Sequence, residues 1–214
     1  MQIQGTVGPP STGQIGPGTA ANVRLGGLAD LVLSELQGRY YENTYRGNTW
    51  SAAAAAVGAT IIAANASPVG AGAAALFALY NVAGNALNAV IKRVIINTIS
   101  GTPGGGFVWN VIATPAGITA TANVTPINNK TFAAAGSMMR IFSQTALTGS
   151  VLSTMFRPIG GPAAIAAGAG LYSVVEETAG DIIVPPGGAL IIANTATGTT
   201  HVVCCGLTWD EVPV

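Results

Sequence analysis

The sequence predicts an all-β chain, an antiparallel β-sandwich preceded by an extended N-terminal arm. Three observations carry this. From Val57 onward, short runs rich in Val, Ile, Thr and aromatics alternate with clusters of Gly, Pro, Asn and Ser, the punctuation of many short strands joined by tight connections. Half of the residues are hydrophobic while only 7% are charged, and mean hydropathy is +0.52, so a well-buried core is available. Met1–Ala21 carries Gly5, Gly8, Pro9, Pro10, Gly13, Gly16, Pro17 and Gly18, a density of breakers that neither a helical nor a strand period survives.

The organisation follows from these shifts. Residues 1–56 form the arm and a junction segment; residues 57–214 form the sandwich. Within the first part, Leu28, Leu31, Val32 and Leu36 recur at helical spacing over Asn22–Gly38, and an extended reading fits the same residues. Candidate strands are Ala59–Ala64, Ala74–Tyr80, Ala89–Thr98, Phe107–Ala113, Ile118–Val124, Met139–Ser143, Val151–Phe156, Leu171–Val175, Asp181–Val184, Ala189–Ala193 and His201–Trp209. Turn signals stand between them at Ser67-Pro68, Gly84-Asn85, Thr102–Gly106, Pro126–Asn129, Gly160–Pro162 and Pro185–Gly188. Ala52–Ala56 and Ala163–Gly170 are small-residue stretches that suit a helical turn or close-packed chain. In Ala89–Ile99 both alternating sets are largely apolar, which suits a strand covered on both faces, by the sandwich core and by a neighbouring subunit or the arm, with Lys92 and Arg93 needing partners or a route to solvent; a strand with a mildly apolar exposed face fits the same residues.

Charge and composition exclude several classes. Eight basic and eight acidic residues cancel, leaving no basic face for phosphate neutralisation, so nucleic acid is not an expected partner. A surface this poor in charge tends to associate. The longest apolar stretch, Ala52–Ala64, is too short and too Ala/Gly-rich to span a bilayer as a helix, so no membrane is expected. The opening MQIQGTVGPPSTG has neither a charged start nor an apolar central run; secretion is not expected.

The search for chemistry is short, because the chain has one histidine, His201. On a strand His201 and Cys204 face opposite ways, and Cys205 lies about 13 Å along from His201 at strand rise, beyond the reach of a nucleophile and its base. His201 therefore reads as a strand-edge residue. Cys204 and Cys205 are adjacent, so a disulfide between them is strained and free thiols are expected. Glu176-Glu177 and Asp210-Glu211 read as solvated strand ends, since neighbouring side chains on a strand diverge. Gly104-Gly105-Gly106 lacks the third glycine of a dinucleotide fingerprint and precedes a strand rather than a helix. No enzyme, cofactor or metal site is predicted.

Binding remains, and one segment concentrates the residue types that anchor protein interfaces. Ser34–Trp50 (SELQGRYYENTYRGNTW) holds three of the five tyrosines and one of the three tryptophans. Glu35, Arg39, Tyr40, Tyr41, Glu42, Tyr45, Arg46 and Trp50, with Lys92 and Arg93, are the candidate interface residues. The alternative is that these aromatics cap the open end of the chain's own sandwich.

This segment, with ALFALYNVAGNALNAVIKRVII and the closing IIVPPGGALIIANTATGTTHVVCCGLTWDEVPV, resembles structural proteins of tailed-bacteriophage virions. The resemblance runs from Ser34 to the C-terminus, with Thr114–Gly170 matching weakly. It implies a jelly roll that trimerises, as in capsid decoration (cement) proteins and the receptor-binding heads of fibres, and it implies no catalytic residues. The expectation is a homotrimer on the outer capsid surface, assembled in the host cytoplasm and bound to the major capsid protein through its arm. The alternative is a tail or fibre module whose loops, such as Thr102–Gly106 or Gly160–Ala169, face a host glycan. A shell-forming subunit fits less well, because the chain is short and nearly uncharged where an inner face meets DNA.

Overall fold

The computed structural model describes residues 5–6, 23–24, 41–60, 75–101, 105–112, 118–119, 121–147, 153–161, 172–196 and 201–214. The chain divides into two units, Met1–Tyr41 and Glu42–Val214. In the first, β1 (Gly5–Thr6) pairs in parallel with β2 (Val23–Arg24). The rest of the Asn22–Gly38 segment lies outside the described residues, as do Ser67-Pro68 and Ala163–Gly170.

A short helix α1 (Tyr41–Tyr45) precedes the strands β3 (Thr49–Thr60), β4 (Phe77–Asn81), β5 (Leu87–Ser100), β6 (Phe107–Ile112), β7 (Ile127–Asn128), β8 (Met139–Ser143), β9 (Thr154–Gly160), β10 (Ser173–Val184), β11 (Ala189–Asn194) and β12 (Val202–Pro213). They form two antiparallel five-stranded sheets, in the orders β10-β5-β12-β3-β7 and β8-β4-β11-β6-β9. Four pairs are nested: β3 with β12, β4 with β11, β5 with β10 and β6 with β9. Successive pairs fall alternately in the first and second sheet. A long antiparallel ribbon rolled up in this way is a jelly roll. The β6–β9 connection supplies β7 and β8, which add one outer strand to each sheet.

The core lies between the sheets. Phe77, Leu79, Phe107, Trp109, Leu190 and Ile192 of the second sheet meet Ile91, Val94, Ile96, Val203, Cys205, Leu207 and Trp209 of the first. Strand β12 shows the alternation plainly up to Thr208, with Val203, Cys205 and Leu207 buried between half-buried neighbours and Trp209 continuing the inward row. The far side of the second sheet is also buried, where Ala78, Tyr80, Val108, Phe142, Ala189 and Ile191 pack with Ala75, Ile118 and Leu147. This explains the continuous apolar runs of β4 and β11, every residue of which is buried.

Strand β5, whose two apolar rows fit either a strand covered on both faces or one with a mildly apolar exposed face, turns a single row to the core of this chain. Its register against β12 jumps between Arg93↔Thr208 and Ile91↔Trp209, so Lys92 is an extra residue, a β-bulge. The bulge reverses the alternation: Ala89 and Ile91 face the core before it, Val94 and Ile96 after it, and Arg93, Asn97 and Ile99 are exposed. A single apolar face therefore looks like two when read at a strict period of 2. Strand β10 is irregular at the same level, where pairing resumes from Glu177 to Ile182. There Thr178 Oγ1 donates to Ile91 O at 2.6 Å, standing in for a lost ladder bond. Of the two predicted strands Leu171–Val175 and Asp181–Val184, Leu171 lies outside the described residues, and Ser173–Val175 and Asp181–Val184 belong to one interrupted strand.

Other boundaries move for identifiable reasons. The small-residue stretch Ala52–Ala56 is part of β3, extended because it pairs with Cys204–Leu207 of β12; the division placed at 56/57 falls inside this strand. Among its described residues, Ile118–Val124 forms no strand beyond a single bridge from Val124 to Ile141. The Asn123 side chain takes both the N–H and the C=O of Ser143, at 2.8 and 2.7 Å, in place of a ladder.

Two motifs about a hundred residues apart meet at one corner of the roll. Asn81 closes β4 and is fully buried. Its side-chain amide donates to Leu87 O at 2.8 Å and to Val184 O at 2.9 Å, and its Oδ1 accepts from Asn85 Nδ2 at 2.8 Å. Its backbone exchanges bonds with Gly187 N (2.8 Å) and Gly188 O (3.0 Å) of the VPPGG turn, where Gly187 has φ +84. At the opposite end, Gly106 and Gly161 cross so closely that a Cβ on Gly161 would overlap Gly106 Cα. Gly161→Ala is expected to destabilise the fold by about 1–3 kcal/mol, the scale of overpacking, read as an earlier urea midpoint with an unchanged slope.

Candidate functional site

Three strands converge beneath α1. Asp210 of β12 is in register with Thr49 of β3 and Val90 of β5. Trp209 beside it faces the core, so Asp210 takes the other face. Lys92, freed by its bulge, brings Nζ to 2.7 Å from Asp210 Oδ1, and the two side chains are 5% and 3% exposed. Thr49 Oγ1 donates to the same oxygen at 2.6 Å and accepts from Lys92 Nζ at 3.2 Å. The second oxygen, Oδ2, accepts from Asn43 Nδ2 of α1 at 2.6 Å, and Thr44 Oγ1 donates to Thr49 Oγ1 at 3.2 Å. One buried cation and one buried anion are thus paired and hydrogen-bonded, the condition under which such charges are tolerated.

The backbone locks the same segment. Gly47 N and Asn48 N donate to Thr44 O and Asn43 O, both at 3.0 Å, and Glu211 N donates to Asn48 O at 2.8 Å. Asn128 Nδ2 holds Gly47 O at 2.6 Å. Glu211, also buried, accepts from Ser137 Oγ at 2.5 Å, Met138 N at 3.2 Å and Trp209 Nε1 at 3.3 Å. The expectation of solvated ends for Asp210-Glu211 is therefore overturned. β12 is a central strand, and its end is covered by α1 and by the 129–138 turn.

The candidate interface residues divide into groups. Glu35, Arg39 and Tyr40 lie outside the described residues, as does the side chain of Glu42. Tyr41 and Tyr45 are 45% and 40% exposed on α1, Arg46 is exposed, and Lys130 Nζ lies 4.7 Å over the Tyr45 ring. Trp50 is turned inward, in register with Trp209, and belongs to the core. Lys92 is consumed by the internal pair, while Arg93 reaches Glu177 at 3.7 Å on the open face. Asn43, Thr44, Thr49 and Asp210, which anchor the segment, were not predicted. The available signal was a carboxylate pair in an otherwise apolar closing strand of a chain with so little charge.

Elsewhere the polar groups are also structural. Glu176 joins the two sheets at their β9/β10 edge, accepting from Trp109 Nε1 at 2.7 Å and from Arg157 at 2.5 Å, and Arg157 also donates to Asp181 at 2.7 Å. Glu176 is thus a tie between sheets, not a solvated end. His201 is fully buried rather than at a strand edge, because it precedes the central strand β12 and faces the core. Both cysteines are free. A cleft of about 520 Å³ between Ala53–Ala54 and Ser143–Gln144 has a neutral lining. Among the described residues no three His, Cys, Asp or Glu side chains are grouped to hold a metal ion, and no helix is long and apolar enough to cross a membrane.

Comparison with known proteins adds little. No family model matches the chain, and no curated protein does. A solved structure, the unassembled KI polyomavirus VP1 pentamer, is 13% identical over 66% of this chain and 69% of that one, with a TM-score of 0.16. At that score the likeness carries no argument; the jelly roll rests on the strand order.

The buried pair gives a direct test. Asp210→Ala and Lys92→Met are each expected to cost about 3–5 kcal/mol, because each strands a buried charge. The double variant should cost clearly less than the sum, a coupling read from a denaturation double-mutant cycle.

Proposed function

We propose that this chain is a non-enzymatic structural protein of a tailed-bacteriophage virion. More specifically, it is a capsid decoration (cement) protein that self-associates as a homotrimer on the outer capsid surface and binds the major capsid protein. The observation that carries the reading is the convergence of the motifs through which the sequence resembles virion proteins. NTYRGNTW, LYNVAG, VPPGG and LTWDEVP are spread along the chain, yet α1, the Asn81 corner and the end of β12 lie at one end of the roll. There the junction segment is bonded to the rigid sheets while Tyr41, Tyr45 and Arg46 remain exposed.

The mechanism is multivalent burial of surface. Each copy contributes a modest contact, and linking several copies raises the effective concentration of each remaining contact without new chemistry. Tyr and Arg suit this because they bury large areas while keeping a polar handle. A nearly uncharged exterior with balanced signs poses little like-charge repulsion between copies. The anchor beneath α1 transmits load from the attachment residues to the sandwich.

The test separates attachment from folding. Tyr45→Ala with Arg46→Ala is expected to lower stability by no more than about 1 kcal/mol, the scale of the Lys130–Tyr45 cation–π contact, while lowering occupancy on empty shells at least tenfold. A chain lacking residues 1–41 should likewise bind shells poorly. Light scattering of the parent should give three times the chain mass. A stable monomer, or full shell occupancy without residues 1–41, would overturn the reading; tight binding to host glycans instead would favour the tail-module alternative.

A further inference from the structure

The end of the sandwich opposite α1 closes with a polar layer inside the core. Thr98 ends the inward row of β5, Phe107 begins that of β6, Asn194 ends that of β11, and Tyr172 and His201 precede β10 and β12. The rings of Phe107, Tyr172 and His201 stack on one another, with centroids 5.9, 6.2 and 6.4 Å apart. Asn194 is in register with Phe107. His201 Nε2 lies 2.9 Å from Thr98 Oγ1. Among the described residues, three buried atoms in this layer have no hydrogen-bond partner of good geometry, His201 Nδ1, Tyr172 Oη and Asn194 Oδ1, the Thr98 hydroxyl being the polar group nearest the Tyr172 phenol. Buried polar atoms are paired almost without exception, so three orphans in one layer mark it as the weaker end.

We propose that this layer is an acid-sensitive latch: a proton taken up at His201 Nδ1 loosens the strand ends around Thr98, Phe107, Tyr172, Asn194 and His201, while the end beneath α1 stays closed. The inference stands apart from the attachment role. The groups facing the imidazole are neutral. From β5 comes the Thr98 hydroxyl, from β6 the Phe107 ring with the Asn194 amide of β11 in register beside it, and from the start of β10 the Tyr172 phenol; the Cys205 thiol faces the core farther along β12. The carboxylate on this face of β10, Glu176, is already taken by Trp109 and Arg157. Burial pushes both the phenol and the thiol upward, so neither carries a negative charge that could welcome an imidazolium.

Burial without a counter-ion also holds the imidazole below its ordinary value. The sign follows. The unfolded chain takes up the proton near pH 6.5 and the folded chain only at lower pH. The contribution of neutral His201 is therefore complete above about pH 6.5 and is lost as pH falls from there toward the folded value.

His201 is the only histidine in the chain, so its imidazole signal in a proton NMR titration is unambiguous. The titration of the full chain is expected to give a midpoint below the ordinary histidine value of about 6.5. At pH 5, after correction for intrinsic exchange, amide exchange at Thr98–Ser100 and Val202–Val203 should accelerate more than tenfold. Exchange at Thr49–Ser51 and Thr208–Asp210 should change less than twofold. His201→Phe, which keeps the stack, and His201→Gln, which keeps a polar group, serve as two independent controls; whichever folds should lose the difference between the ends. A midpoint at or above 6.5, equal acceleration at both ends, or an unchanged response in the folded variant would overturn the proposal.

Discussion

The buried Lys92–Asp210 pair is the constraint on which the rest of this fold depends. An ammonium and a carboxylate removed from water are tolerated only with near-ideal geometry and with their remaining bonding capacity filled. That requirement reaches outward through the structure. Lys92 attains the carboxylate through a bulge in β5; the bulge reverses the strand's alternation and so decides which of its aliphatic residues form the core. The irregularity in β10, with Thr178 bonding Ile91 O, accommodates the same extra residue. On the other side, Thr49 starts β3 and Asn43 sets α1 against the sheet. A one-residue slip of β12 would turn Asp210 into the apolar core. The pair therefore contributes register as much as stability.

The same logic explains why the roll closes where it does. A jelly roll must pass its chain from sheet to sheet at corners, where backbone groups leave their ladders and would be orphaned if buried. At the β4–β5 corner one side chain, Asn81, meets that demand for three strands at once. An amide suits the position because it offers two donors and an acceptor without charge; a carboxylate could not donate to Leu87 O and Val184 O. The glycine of the facing turn supplies the positive φ that brings its N–H to Asn81 O. These two motifs are thus halves of one joint.

Much of this was legible in the sequence. The all-β class, the extent of Met139–Ser143 and the turns at Gly84-Asn85 and Pro185–Gly188 follow from periodicity and turn chemistry. What was hidden shares a cause: each missed feature depends on a partner distant along the chain. A period-2 reading of Ala89–Ile99 cannot show a bulge whose reason is Asp210, more than a hundred residues on. Asp210 and Glu211 look like surface residues until β12 proves to be central and covered. The aromatics of the junction looked alike by composition, yet the structure sends Trp50 to the core and leaves Tyr41 and Tyr45 outside. The anchoring residues themselves, Asn43, Thr44 and Thr49, are small polar side chains with no local signature beyond turn propensity.

The two ends of the roll are built on opposite principles. Beneath α1 both oxygens of Asp210 and of Glu211 are engaged, by partners from α1, β3, β5 and the 129–138 turn. At the far end, three polar atoms facing the core have none among the described residues. Local opening free energies follow such differences, since a segment with fewer satisfied bonds opens at lower cost than the global unfolding of the domain. A sandwich closed firmly at one end and loosely at the other can hold a fixed attachment geometry while its far strand ends respond to conditions. Firmness belongs where load enters, and in the proposed attachment load enters through the segment that carries Tyr45 and Arg46. The polarity of the core is therefore aligned with the polarity of the proposed function: the end proposed to grip is the end whose buried charges are answered.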